Sequence, residues 1–379
     1  MSCPARIHPL RRPANHKAPI PRWKLALPST AQRVYISYIG VQTRVTSKQA
    51  HAATSAAVSE IQSWLAQPTG PAASESFTML DGYDNSNATV WVCYWDSSSN
   101  YHNAMSLLSL KTVHERLDAA GLADVGLWHE TFSTSVSRLE TNYSGLDYLP
   151  GLARLPGATV QEHDLSTYWG AARDRIPDSG VDLFPDTRHH EKQHEERGEK
   201  GVESMLKGLG QRVSGKNTTG NIVHIRSGQW WDNCESEEVK AYEEKLEPSL
   251  CQGLEFLRNN PEESGAMSIQ YLRNEDVPSP STATGTDQAK RVEKKESCGT
   301  GFFRNLSDLE SWAKSHKSHL AIYTGALRHY KQFGENRRFR TWHEVCVIGE
   351  GEASFEYVNC TRGTGVLGKG EVDMKCEEL

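Results

Sequence analysis

Three groups of histidine and carboxylate side chains could carry chemistry in this chain of 379 residues. The first is His190-Glu191-Lys192-Gln193-His194, in which two imidazoles one helical turn apart could hold zinc while Glu191 acts as a base. A helix of that kind needs an apolar face to hold its ligands in a shielded cleft, and residues 185–200 contain no aliphatic or aromatic side chain. The stretch reads as a solvated loop, and a zinc hydrolase built on it is the weakest functional reading. The second group is His316 and His319 in LESWAKSHKSHLAIY. The third is an internal echo: Trp128-His129-Glu130 followed by Leu139-Glu140, and Trp342-His343-Glu344 followed by Phe355-Glu356.

These groups need elements to hold them. Ser307 and Glu310 form a capping-box pattern that predicts a helix over 307–317, with Leu309, Trp312, Ala313 and His316 on one face. HLAIYTGAL reads as the strand after it, which places His319 at a rigid helix–strand junction. Taken by itself His319 is an ordinary histidine, and spacing does not make it a ligand. From Arg33 the order is strand (RVYISYIGVQ), helix (47–66), strand (FTMLDGY), strand (ATVWVCYW), helix (roughly 100–120), strand (GLWHETFS), the order of a ferredoxin-like unit. A similar order follows from residue 221: NIVHIRSG, a helix over 235–258 bent at Pro248, MSIQYLR, a segment near CGTGFF, the helix at 307–317 and HLAIYTGAL. The expected architecture is α+β, a tandem duplication with halves at about 33–150 and 221–367. Residues 1–32 form a proline-rich arm, and residues 185–216 and 275–297 read as charged surface insertions.

Composition narrows the function. A formal charge of −6 and the lack of a long basic run argue against a nucleic-acid partner. No stretch approaches 18 consecutive apolar residues and the first 30 residues hold no apolar signal core, so no membrane span and a cytoplasmic location are expected. Eight cysteines, from Cys3 to Cys376, contain no CxxC and no CxxCH, which excludes zinc-ribbon and covalent c-type haem patterns.

Four segments recur in a meaningful order: STYWGAARDRIP (166–177), NIVHIRSGQWW (221–231), LESWAKSHKSHLAIY (309–323) and TWHEVCVIGEGEASFEYVNCTRGTGVL (341–367), extended by IGVQTR (39–44) and LETNYSGLDYLPGL (139–152). In them the chain resembles the haem-containing aldoxime dehydratases, over about residues 20–367 apart from the two charged stretches. The resemblance implies a dimeric α+β barrel of duplicated ferredoxin-like units holding one noncovalent haem b, active when ferrous. Its proximal iron ligand falls on His319 and not on His316, which is expected to pack or hydrogen-bond nearby. The distal acid–base falls on His343, leaving His129 a structural role. Arg175 and Ser227 match residues that hydrogen-bond the aldoxime hydroxyl. Glu140 matches a carboxylate that relays protons or orients the histidine. Local sequence alone would leave Arg175 a surface arginine and Ser227 a turn residue. The implied reaction converts a small-molecule aldoxime, bound to the iron through nitrogen, into a nitrile and water, in a homodimer. A peroxidase or haem-binding sensor of the same barrel type is the alternative.

Overall fold

The computed structural model describes residues 6–82, 88–187, 206–276 and 292–379. The His190–His194 motif lies outside the described residues. Within them the chain is α+β, with an antiparallel sheet and helices on its outer faces. The elements in order are β1 (Arg22–Ala26), β2 (Arg33–Thr43), α1 (Lys48–Leu65), β3 (Ala73–Asp81), β4 (Ala88–Trp95), α2 (Ser98–Leu107), α3 (Leu110–Glu115), β5 (Val125–Ser135), β6 (Leu139–Tyr143), β7 (Thr159–His163) and α4 (Ala171–Arg175). There follow β8 (Gln211–Asn217), β9 (Ile222–Trp230), α5 (Ser236–Ala241), α6 (Glu247–Asn259), β10 (Ala266–Asp276), β11 (Val292–Phe303), α7 (Leu306–Ser315), α8 (Lys317–Phe333), β12 (Arg340–Ile348), β13 (Ala353–Val358) and β14 (Val372–Glu378).

The strands run β14-β8-β13-β5-β2-β4-β3-β10-β11-β9-β12-β6-β1-β7 across one sheet. Its centre holds two groups ordered alike, β5-β2-β4-β3 and β12-β9-β11-β10, joined edge to edge where Leu272 faces Met79. The sheet curls until β5 meets β12, where the Thr134 hydroxyl donates to the Val347 carbonyl at 2.9 Å. Its inner face closes on Val34, Phe77, Trp128, Phe132, Phe302 and Trp342. Helices cover the outer faces, α1–α3 on Ile39, Trp91 and Leu127, α6 and α7 on Ile269, Phe303 and Val345. This double covering explains β2, in which the nine residues Val34–Gln42 are all buried and no alternation shows.

Four expectations need correction. HLAIYTGAL is not a strand but most of α8, and a short apolar run does not by itself separate the two. His319 therefore sits in the first turn of a helix, and the sixth element of the second half is β12, which carries Trp342-His343-Glu344 as β5 carries Trp128-His129-Glu130. The capping box does not form either. Asn305 caps α7 by accepting from the Asp308 amide at 2.8 Å, and Glu310 is committed to Arg173. The helix over 235–258 is broken by a π-helical turn at Tyr242–Leu246, because Pro248 has no N–H for the α-helical ladder. Finally, the arm and the insertions contribute strands. Arg22–Ala26, between prolines 21 and 28, pairs with β7, β8 begins inside 185–216, and β11 begins inside 275–297.

A shared device sits at the same place in each half. Gly40 on β2 faces Trp128 on β5, and Gly228 on β9 faces Trp342 on β12. A Cβ on Gly40 would lie 2.0 Å from Trp128 Cε2, and one on Gly228 2.3 Å from Trp342 Cε2. Both indoles are buried, so neither can move aside without opening the core. Gly40→Ala and Gly228→Ala should each cost about 1–3 kcal/mol, read as a lower urea midpoint. Unchanged midpoints would show that the indoles are not seated on the glycines.

Candidate functional site

The site is built from one sheet wall, one helix wall and the arm and α4 segment that close it. β12 lies between β9 and β6, and its register sets His343 opposite Ser227 on one side and Asn142 on the other. Glu140, two residues before Asn142 on β6, shares that face. Facing this wall, α8 presents His319, Tyr323, Ala326 and Tyr330 at helical spacing. The space between is a cavity of about 980 Å³, at the upper end of the range for bound cofactors and ligands.

Arg175 ends the short helix α4 and is aimed inward by anchors on both sides. Asp174 accepts from the Tyr168 hydroxyl at 2.8 Å and the Arg11 amide at 2.9 Å, while Arg173 pairs with Glu310 at 2.7 Å. The turn before α4 requires Gly170, whose φ of 97° is left-handed and whose Cβ would strike Arg11 Cδ at 2.7 Å. Buried Arg175 then donates to Glu140 from Nε at 3.2 Å and from Nη2 at 2.9 Å, and to the Leu165 carbonyl from Nη1 at 2.6 Å. His343 Nε2 stands 2.7 Å from Glu140 Oε1 and 2.8 Å from Arg175 Nη2. Of the two hydrogens on Nη1, one is left over after the bond to Leu165. Burial alone would raise the Glu140 carboxyl, but the charges of Arg175 and His343 and their hydrogen bonds outweigh it and hold the group down at about 2. Glu140 is thus a fixed anion that fixes the arginine and the imidazole beside it.

On the helix wall, burial depresses His319, assisted by the charge of His343, which favours the neutral imidazole. Its Nδ1 is buried with no hydrogen-bond partner, and Trp312 flanks the ring at 4.9 Å. A neutral imidazole with unused nitrogen capacity, on a helix facing a large cavity, is the donor that haem iron takes. The residues present fit that group. His316 is placed differently: it caps α8, with Nδ1 2.7 Å from Ser318 Oγ, and its ring stacks on Phe256 at 3.6 Å, outside the cavity lining. His129 lies under α1–α3, its Nε2 against the Ser37 hydroxyl, and burial pushes it down to about 4. Among the described residues no cluster of three or more His, Cys, Asp or Glu could hold a metal ion.

The structure therefore brings Glu140, Arg175, Ser227 and His343 together and sets His319 across from them. Sequence reasoning missed the rest of the lining. Arg11 and Arg22 come from the proline-rich arm, Trp169 from the segment before α4, and Arg337 from the turn before β12. It also missed His163 on β7, whose Nε2 lies 3.1 Å from Asn142 Oδ1 behind His343 and which burial and Arg175 push down to about 4. The alternation of RWKLA between two prolines could have exposed β1, and Arg22 with it. No local signal marks Arg337.

Comparison with known proteins agrees with this geometry. The family model for haem-containing dehydratases matches residues 37–366. The chain is 29% identical to the aliphatic aldoxime dehydratase of Rhodococcus globerulus, over 97% of this chain and 95% of the relative. It is 26% identical to the phenylacetaldoxime dehydratase of Bacillus sp. strain OxB-1, over 94% and 93%. The crystal structure of an aldoxime dehydratase in complex with butyraldoxime superposes with a TM-score of 0.78 at 28% identity, covering 96% of this chain and 93% of that one. A second aldoxime dehydratase structure gives 0.76 at 27% identity, covering 96% and 95%.

Because Glu140 is held below its unfolded value, its contribution to stability is complete above about pH 4.5 and is lost as the pH falls toward 2. The amount is on the order of 3 kcal/mol. Between pH 5 and pH 2.5 the urea midpoint of the native chain should fall more steeply than that of Glu140→Gln. Parallel curves would mean that the Arg175–Glu140–His343 cluster does not form.

Proposed function

The chain belongs to the haem-containing dehydratase family, and from that premise we propose that it dehydrates an aldoxime, R–CH=N–OH, to the nitrile R–C≡N and water. The observation that carries this reading is the opposition across one cavity of a buried neutral imidazole, His319, and the ion-paired cluster of His343, Arg175 and Glu140, with Ser227 beside it. His319 would hold the iron of a haem b. That group, when bound and ferrous, supplies an electron-rich metal to take the aldoxime nitrogen and weaken the N–O bond.

The protein's own groups do the rest. The reaction breaks N–O and C–H, makes the third C–N bond and is neutral in electrons, so it needs one proton delivered to oxygen and one taken from carbon. His343 can do both, because an imidazole can give a proton from one ring nitrogen and take one at the other, and this one faces the cavity from β12. Arg175 has an unused N–H on Nη1 and Ser227 has a hydroxyl, and these two donors orient the departing oxygen and stabilise the charge it gathers. Glu140 touches no reactant and acts as a positioning residue: it locks Arg175 and sets the tautomer of His343. With Nε2–H donating to Glu140, Nδ1 is the free base.

The likeness of strand order and of the Gly–Trp pairs supports reading the fold as a tandem duplication of ferredoxin-like units in a dimeric α+β barrel. We place the working protein, as a homodimer, in the cytoplasm. Among the described residues no helix is long and apolar enough to cross a membrane.

Supplied with haem, the protein should show a Soret band at one haem per chain and, once reduced, form nitrile from an aldoxime. Absence of nitrile from aliphatic and arylaliphatic aldoximes alike would refute the reading. His343→Ala should retain haem and lower kcat by about two to four orders of magnitude. His319→Ala should lose haem and His316→Ala keep it, as followed by the Soret absorbance. The reverse pattern would move the ligand to His316.

A further inference from the structure

The chain carries a formal charge of −6, yet the cavity wall is cationic. Arg11, Arg22, Arg175, Lys314 and Arg337 line it against only Glu140 and Glu310. Both carboxylates are already committed, Glu140 to Arg175 and Glu310 to Arg173 and Arg11. Among the described residues the half-buried Arg22 and Arg337 and the exposed Lys314 form no ion pair.

Arg22 opens β1 and donates to the carbonyl of its neighbour Pro21 at 3.2 Å. Arg337, in the turn before β12, donates to the Phe339 carbonyl at 2.9 Å and the Ser144 carbonyl at 3.4 Å, and lies over the Tyr330 ring at 5.0 Å. Its Nε is buried with no partner. Neither arginine forms an ion pair among the described residues. Each is half-buried, and burial together with the charges of Arg337 and Arg175 pushes Arg22 down to about 10. Two guanidiniums brought together out of water are unfavourable by desolvation and by mutual repulsion, which the charges of Glu238 and Asp147, neither ion-paired to Arg337, offset only in part. The anion that would relieve them is not the substrate, since an aldoxime, a nitrile and water are all neutral. Haem b carries two carboxylates on one edge of its ring, and the guanidinium fork matches a carboxylate in two parallel hydrogen bonds.

We propose that Arg22 and Arg337 bind the two carboxylates of the haem, fixing how the ring is turned about the axis through His319. This rests on the haem-dependent reading above. The pair would join the arm at one end of the chain to the turn before β12 at the other, through the cofactor itself.

The test compares haem with its dimethyl ester, in which both carboxylates are masked. The full-length apoprotein is titrated with each in the ferrous state, followed by Soret absorbance and by quenching of tryptophan fluorescence. The native chain should bind haem at least tenfold more tightly than the ester. The variant R22Q/R337Q should lose tenfold or more in haem affinity and nothing in ester affinity, with an unchanged far-UV circular dichroism spectrum. Equal affinity of the native chain for haem and ester, or equal weakening of both ligands in the double variant, overturns the proposal while leaving the haem reading intact. Binding of neither ligand by the native chain overturns the haem reading itself. Should the double variant not fold, the comparison of haem with ester on the native chain decides alone.

Discussion

The site depends on the register of β12 between β9 and β6. Side chains alternate along a strand, so a slip of one residue exchanges its two faces. In the native register His343 faces the cavity beside Ser227 and Asn142. Its neighbour Glu344 faces the interior, where it accepts from the Leu152 amide at 2.7 Å and the Tyr94 hydroxyl at 3.1 Å. One step out, the buried carboxylate would replace the imidazole in the cavity and the imidazole would lose its partners. The seat of Trp342 on Gly228 excludes that step, because no other residue of β9 near this position is a glycine able to take the indole. Arg175 and Glu140 then only have to meet an imidazole already fixed in place.

The two halves show how one scaffold serves two ends. His129 and His343 occupy equivalent strands, but the position across from His129 is Ile39 where His343 has Ser227. In the first half α1–α3 lie directly on the sheet, and His129 is sealed against Ser37 as a neutral packing residue. In the second half α8 rests on α6 instead, where Gly253 admits Ile322 closely, a Cβ there meeting Ile322 Cδ1 at 3.0 Å. The helix is thereby held off β12, and the gap beneath it is the cavity. Inside the sheet the symmetry persists: Glu130 and Glu344 are both raised to about 7 by burial.

Much of the fold was legible because its determinants are local. The runs 33–42 and 88–95 and the helix after Ser47 carry their own periodicity or cap, and the repeated Trp-His-Glu marks equivalent strands. What escaped depends on distant partners. HLAIYTGAL is apolar enough for either a strand or a helix, and its helical face is defined only by the wall opposite it. Ser307 carries the capping pattern, but Asn305 reaches the Asp308 amide first and Arg173 removes Glu310. Arg175 looks like any surface arginine until Glu140, 35 residues away, and His343 close around it. The placements of His319, Arg175, Ser227 and Glu140 were reachable only through resemblance to a family.

The walls of the cavity are drawn from the whole length of the chain: the arm at Arg11 and Arg22, β6, the segment before Arg175, β9, α7 and α8, and last β12. This imposes an order in time on the making of the protein. A chain leaving the ribosome presents the arm and the first half early, and they can collapse around their own helices, but β6 and β1 wait with an unpaired edge until β12 arrives between β6 and β9. Helix α8, on which the proposed iron ligand His319 sits, also emerges before the strand that faces it. Cofactor capture is therefore a late event that waits for β12 (Arg340–Ile348) to be synthesised, and a truncated chain lacking β12 has no complete pocket to load.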